Sequence, residues 1–237
     1  MSSTVALITG ARRGIGRKIT EQLLAAGTNV VATCTDAAQA EQLQRELSEL
    51  GDGEVLGAQL DVCDHNQVVQ LAGRIEERFG KLDILINNAG VMDKSPSTVA
   101  TQSLADWNRI IDTNLRGPFL LCQAMIPLLK KSPNGRIINL AGMLGTFASG
   151  MEGGGFPAYR ISKAGLNALT LILAEELKAD GILVTAVDPG WVRTDLGGPD
   201  APRSPDDAAA DVVSVARLNG DNPQSGVLLR GGQPVRW

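Results

Sequence analysis

Short apolar runs recur along the chain, and each is followed by a stretch in which apolar positions return every three or four residues. Runs at 4–9, 29–33, 54–60, 82–87, 135–140, 182–188 and 227–229 have strand length and are rich in Val, Ile and Leu. The intervening segments read as helices. One runs from the glycines after Thr9 through Ala26, and others span 37–50, 66–79, 107–130, 158–179 and 205–218. Several open after Asp or Ser, whose side chains cap free helix amides. Regular alternation of strand and helix predicts a doubly wound α/β fold, with a mostly parallel sheet, right-handed crossovers and helices on both faces. In such a sheet ligands gather at the carboxyl ends of the strands. No linker or repeat divides the 237 residues, so residues 1–237 are expected to form a single domain.

The first strand-to-helix turn carries Gly10-Ala11-Arg12-Arg13-Gly14-Ile15-Gly16. A residue without a Cβ lets the backbone turn tightly and approach a pyrophosphate, whose charge then rests on the free amides of the helix start. The spacing is G-x-x-x-G-x-G rather than G-x-G-x-x-G, so the signal lies in that spacing together with its flanking elements. An ordinary flexible turn is the alternative reading.

Tyr159 and Lys163 stand four apart in the 158–179 helical stretch and share one face. A phenol with an ordinary pKa near ~10 is a poor acid and a poor base at neutral pH, and an ammonium beside it favours the phenolate and lowers that value. A solvated surface pair is the alternative for the same spacing.

Composition removes whole classes of function. The chain is 43% hydrophobic with a net charge of -4, and its basic residues are scattered, which argues against a nucleic-acid partner. The apolar run at 119–129 is interrupted and too short to span a bilayer, and the N-terminus lacks a signal-peptide pattern, so a soluble cytoplasmic protein is expected. Cys34, Cys63 and Cys122 are odd in number, widely separated and set in apolar surroundings, and they read as reduced core thiols; no metal site is expected. The single histidine, His65, follows the helix-capping Asp64 and reads as a surface residue, which removes hydrolase triads built on histidine.

Thr9-Gly10-x-x-x-Gly14-x-Gly16, Asn87-Asn88-Ala89-Gly90, Asn114, Tyr159-x-x-x-Lys163 and Pro189-Gly190-x-Val192-x-Thr194 stand in one order along the chain. Together they resemble the short-chain dehydrogenase/reductase family over about residues 4–229. The stretch 154–163 and the terminal Val235-Arg236-Trp237 are similar to the carbonyl reductases within that family. The resemblance implies a single Rossmann domain with a seven-stranded parallel sheet that binds a nicotinamide dinucleotide on the Gly10 to Gly16 turn. It implies that Tyr159 gives a proton to the carbonyl oxygen as hydride arrives, that Lys163 lowers the Tyr159 pKa and binds the nicotinamide ribose, and that Asn114 holds a water linking Lys163 to solvent. Asp61 and Val62 would contact the adenine, while Asn87, Ala89 and Gly90 would border the adenosine side. The turn at Pro189 and Gly190 would deliver Val192 and Thr194 to the nicotinamide amide and the phosphates. Family members commonly form homotetramers through their long helices, here those holding Asn114 and Tyr159, which implies a homo-oligomer, tetramer or dimer.

One position departs from the family. A serine normally ends the fifth strand and hydrogen-bonds the substrate oxygen, but here Arg136-Ile137-Ile138-Asn139-Leu140 runs into Ala141-Gly142, and the strand register puts Gly142 at that place. Counting back from Tyr159 lands instead on Thr146, with Ser149 in the same loop, so either is a candidate replacement. The departure keeps a second reading open, a dinucleotide-binding regulatory protein with weakened or lost catalysis. For the cofactor, Cys34 stands where NAD-using relatives carry a carboxylate, Arg12 and Arg13 lie in the turn, and Thr35 could donate to a phosphate, so NADP is expected over NAD. Asp36 would favour NAD if the register slipped by two. Gly142, Met143, Tyr159 and Trp191, with Leu144, Phe147 and Phe156 nearby, are expected to form an apolar substrate site under a short mobile lid at 195–204. The expected activity is NADP(H)-preferring hydride transfer between cofactor and a small-molecule ketone or alcohol, as a carbonyl reductase or alcohol dehydrogenase.

Overall fold

The predicted strands form one sheet in the computed structural model, which describes residues 3–218 and 224–237. Strands β1 (Val5–Ile8), β2 (Asn29–Cys34), β3 (Val55–Gln59), β4 (Ile84–Asn87), β5 (Arg136–Leu140), β6 (Leu183–Val187) and β7 (Val227–Arg230) are mutually parallel. Each is hydrophobic on both sides, as a sheet covered on both faces requires. A further strand, β8 (Gln233–Val235), pairs antiparallel with β7, giving the order β3-β2-β1-β4-β5-β6-β7-β8. The sheet therefore has eight strands rather than seven. The hairpin that adds the last one turns on Gly231 and Gly232, both at positive φ, and Gln233-Pro234-Val235 is too short and too polar to register as an apolar run.

Helices α1 (Gly14–Ala25), α2 (Ala37–Ser48), α3 (His65–Phe79), α4 (Leu104–Ile111), α5 (Gly117–Leu129), α6 (Pro157–Glu176) and α7 (Pro205–Ala216) occupy the segments between strands. Asp36, Asp64 and Ser204 cap α2, α3 and α7 with side-chain oxygens, as their positions in the sequence suggested, and Ser103 caps α4, ahead of the expected start. Two apolar layers result. Leu7, Val31, Leu85 and Ile137 pack with Leu71, Leu121 and Met125 on one face, while Ile8, Val30, Ile86 and Ile138 pack with Ile19, Leu23 and Val212 on the other. The strand order reverses between β1 and β4, and this switch opens a crevice at their carboxyl ends.

The segment expected as one helix at 107–130 begins earlier, at Leu104, and is interrupted by a π-helical turn at Asp112–Arg116. Pro118 has no N–H to offer the carbonyl of Asn114, so the regular ladder cannot run through this point. Among the described residues no helix is long and apolar enough to cross a membrane. Cys34, Cys63 and Cys122 are free thiols; Cys34 and Cys122 are buried as expected, Cys63 only half-buried, and His65 is exposed at the start of α3.

Candidate active site

The glycine turn is locked from two sides. Gly10 and Gly14 have φ of 64° and 57°, and a Cβ on Gly16 would stand 2.4 Å from the Gly10 carbonyl oxygen and 2.4 Å from Asn88 Nδ2. Asn88 Nδ2 donates to the carbonyls of Thr9 (2.7 Å) and Gly10 (3.2 Å), while the amides of Asn88 and Ala89 donate to Thr9 Oγ1 at 3.0 and 2.9 Å. Asn88 is thus the brace of the turn, a role the sequence reading did not assign. Its neighbour faces the other way: Asn87 is buried, donates to Asn139 Oδ1 at 2.8 Å, and leaves its own Oδ1 without a partner. The expectation that Asn87 borders the adenosine side is corrected for its side chain, because strand alternation sends Asn87 into the layer under α5 and Asn88 toward the crevice.

At the end of β2, Cys34 is buried with its thiol toward the Asp36 carbonyl at 3.4 Å. The exposed Asp36 carboxylate, two residues past the strand end, accepts the Gln39 amide at 2.8 Å through one oxygen and caps α2. Arg12 is exposed and lines a cavity of about 150 Å³ with Gln39, Gln42, Leu43 and Glu46. Arg13 instead pairs with Asp195 across the crevice. Thr35 is exposed beside Cys34. Asp61 is exposed and accepts the Cys63 amide at 2.9 Å, whereas the Val62 side chain is buried against Gly117, leaving its backbone as the surface it offers an adenine.

At the carboxyl ends of β4 and β5 the predicted chemical residues meet. Lys163 is buried, donates from Nζ to the Leu140 carbonyl at 2.7 Å, and lies 5.5 Å from the centroid of the Tyr159 ring. A Cβ on Gly90 would stand 3.5 Å from Asn114 Oδ1 and 3.8 Å from Lys163 Nζ, which shows how closely the β4 loop, the π-helical turn and α6 converge. The Asn114 amide makes a two-way bond with Val91 at 2.8 Å each way, and reaches Ser162 Oγ at 3.1 Å. Ser162 in turn donates to the Tyr159 carbonyl at 2.7 Å. Ser162, inside the Tyr159 to Lys163 motif, was not singled out by sequence; its place on the buried side of α6 is the only signal that could have found it.

Burial pushes the Tyr159 phenol up to about 12, and the Asp188 carboxylate adds to that rise. Burial also pushes the Lys163 ammonium down to about 8, with Asp188 opposing. The expected acidification of Tyr159 by its lysine does not appear: Lys163 directs its Nζ–H to the Leu140 carbonyl, and burial of the half-buried Tyr159, with the Asp188 charge, moves the phenol the other way.

On the substrate side, Gly142 follows β5 at φ 150° and ψ 156°, and a Cβ there would meet only Asp188 Oδ1, at 3.6 Å. Thr146 does not replace the absent hydroxyl, because it is fully buried and its Oγ1 is committed to the Met143 carbonyl (2.8 Å) and the Gly150 amide (3.1 Å). Ser149 is exposed in the same loop. Met143 is half-buried, Leu144 and Phe147 face solvent, and Trp191 is 58% exposed, with its indole donating to the Gly197 carbonyl at 2.6 Å. The 195–204 segment is more tightly bonded than its Gly and Pro content suggested. Val192 bridges Arg203, Gly198 donates to the Thr194 carbonyl, and Arg193 holds the carbonyls of Ala201 and Pro202. Gly190 turns at φ 75°, and the Thr194 methyl lies over Gly14, 3.1 Å from where a Cβ would be.

The family model described as short chain dehydrogenase matches residues 4–204. The chain belongs to that family. The 3-oxoacyl-[acyl-carrier-protein] reductase FabG of Escherichia coli is 37% identical over 192 residues, covering 81% of this chain and 75% of that protein. Among solved structures, the NADPH-bound carbonyl reductase from chicken fatty liver superposes with a TM-score of 0.87 at 31% identity, and the carbonyl reductase Sniffer of D. melanogaster with 0.88 at 27%. Each covers 100% of both chains.

As a short-chain dehydrogenase the protein is an NAD(P)-dependent oxidoreductase. Its residues fit such a dinucleotide: the turn presents bare backbone at Gly10, Gly14 and Gly16, the last with no room for a Cβ against the Gly10 carbonyl, and the α1 amides lie behind it. When bound, the nicotinamide ring supplies or takes up the hydride.

Proposed function

We propose that this short-chain dehydrogenase is an NADP(H)-preferring carbonyl reductase that acts on ketones, aldehydes or ketoesters, or on the corresponding alcohols in reverse. The observation that carries the reading is the convergence of Gly90, Asn114, Tyr159 and Lys163 at the carboxyl ends of β4 and β5. With its phenol held near about 12, Tyr159 is fully protonated at neutral pH and serves as the proton donor to a carbonyl oxygen. Lys163 titrates close to working pH, which suits a group that passes a proton on toward Tyr159. Asn114, its carbonyl freed by Pro118, holds the water at the solvent end of that path. Gly10, Gly14, Ile15 and Gly16 receive the pyrophosphate; Asp61 and Val62, with Ala89 and Gly90, border the adenosine; Pro189, Gly190, Val192 and Thr194 close over the nicotinamide side.

NADP preference is supported by Cys34 standing at the end of β2 where NAD users carry a carboxylate, and by exposed Arg12 and Thr35. Arg12 is the better candidate for the 2′-phosphate, since Arg13 is paired with Asp195. Met143 and Trp191 give the substrate side its apolar character. The exposed Phe119, Ile161, Leu171 and Ile172 on α5 and α6 support assembly as a homo-oligomer through those helices, which sedimentation would check.

The test is oxidation of NADPH and of NADH against a panel of ketones, ketoesters and aldehydes, with faster NADPH consumption expected. Gly142 favours the second reading, a dinucleotide-binding regulatory protein, because the loss of one oxyanion donor lowers rates by about 10²- to 10³-fold. Tight NADPH binding with no consumption across the panel would establish it.

A further inference from the structure

We propose that Gln102 is a positioning residue for Tyr159: from the loop ahead of α4 it caps the start of α6, and buried Asp93 holds it there. The effect on turnover rests on the reading of Tyr159 as proton donor; the clamp on the helix does not. Tyr159 is the third residue of α6, so whatever fixes the first turn of that helix fixes where the phenol stands. That turn supplies no cap of its own. Phe156 makes no side-chain bond to a helix amide, Pro157 has no N–H, and Gly153, Gly154, Gly155 and Phe156 enter the helix in four successive conformations of positive φ. Phe156 is the single non-glycine residue at positive φ among the described residues, and such a conformation lasts only where the surrounding structure imposes it.

The loop after β4 imposes it. The Ser97 carbonyl accepts the Phe156 amide at 3.0 Å, and Gln102 Oε1 accepts the Ala158 amide at 3.3 Å from 56 positions away in sequence. Ala158 is fully buried, and as a first-turn amide it has no acceptor inside its own helix. From the far side, Arg160 reaches back to the carbonyls of Gly150 and Gly155. Gln102 is itself oriented by its contacts. With Oε1 turned to Ala158 and to Ser97 Oγ (3.3 Å), its Nε2 faces Asp93 and donates to Oδ1 at 2.5 Å. Asp93 is buried, and its Oδ2 has no partner. The basic groups nearby are engaged elsewhere or in solvent: Arg109 holds Asp106 and the Met92 carbonyl, Arg160 holds its two glycine carbonyls, and Lys94 is exposed. Burying a carboxyl with one oxygen unbonded is unfavourable, which a contact that only stabilised the loop would not require.

Tyr159 is the only tyrosine in the chain, so isotope-labelled tyrosine gives one set of ring NMR signals that reports its surroundings without turnover. In Gln102→Ala this signal is expected to move, and kcat for ketone reduction to fall by roughly 10- to 100-fold while NADPH affinity keeps its wild-type value. A signal that stays in place, a kcat that holds, or equal losses in kcat and NADPH affinity overturns the role, the last by showing a general loosening of the crevice. If that variant fails to fold, Gln102→Glu decides. It keeps an acceptor for the Ala158 amide but sets a second carboxyl against Asp93, so the two must share a proton that leaves as pH rises. Its kcat should match the wild type at acid pH and decline above it, while the wild-type kcat does not; a profile parallel to the wild type overturns the role. A wild-type protein that reduces nothing sinks the reductase reading alone, and the tyrosine signal still judges the clamp.

Discussion

The two ends of the crevice are built differently. At the dinucleotide end, Thr9, Gly10, Gly16 and Asn88 hold one another through short hydrogen bonds, and Gly16 has no room for one added carbon. At the substrate end, the loop after β5 and the 189–204 segment close on their own backbones, large side chains such as Phe147 and Trp191 stand in solvent, and Gly142 occupies the place of an expected hydroxyl. The first end must match a ligand that does not vary. The second can change its lining without disturbing the sheet, which is where substrate choice is free to differ between relatives.

The largest expected effect comes from the chemical centre where the two ends meet. Tyr159→Phe should lower ketone reduction by ~10²- to 10⁴-fold while leaving NADPH binding intact; steady-state kinetics with fluorescence titration would check it, and unchanged turnover would remove Tyr159 from the chemistry. Next, Gly16→Ala drives a methyl into the Gly10 carbonyl, a backbone atom that cannot yield, so stability should fall by ~1–3 kcal/mol and NADPH binding should be lost. Urea unfolding measures this, and a variant that binds normally would mean the dinucleotide end is looser than its bonds indicate.

A smaller and more ambiguous response is expected at the other end. Gly142→Ser restores a hydroxyl in open space, but at φ 150° a side chain strains the backbone by ~1–2 kcal/mol, so Tm should drop without a large gain in rate. A ~100-fold gain at unchanged Tm would show that the β5 loop relaxes freely and that only the missing donor separates this site from its relatives. The smallest effect is expected at the rim: Arg12→Ala should weaken NADPH by about tenfold and leave NADH nearly unchanged, since one charge-assisted phosphate contact is removed. Equal loss for both nucleotides would place Arg12 in packing rather than in phosphate recognition.

Local chemistry made the strands, most helices, the glycine turn and the Tyr159 to Lys163 spacing legible, because periodicity, capping and the lack of a Cβ act over a few residues. The alternation of strand and helix also placed ligands at the carboxyl ends of the strands, while the switch between β1 and β4 came only with the strand order. Three-dimensional packing alone decided the rest. It turned Asn87 inward and Asn88 outward, joined Asn114 to Tyr159 through Ser162, and added β8 behind a two-glycine turn. It also reversed the expected sign at Tyr159, since desolvation depends on every element that excludes water from a group, and the Asp188 contribution comes from a strand end 29 positions away in sequence. Spacing reports which side chains share a face; how strongly each is charged there depends on burial, and burial belongs to the assembled fold.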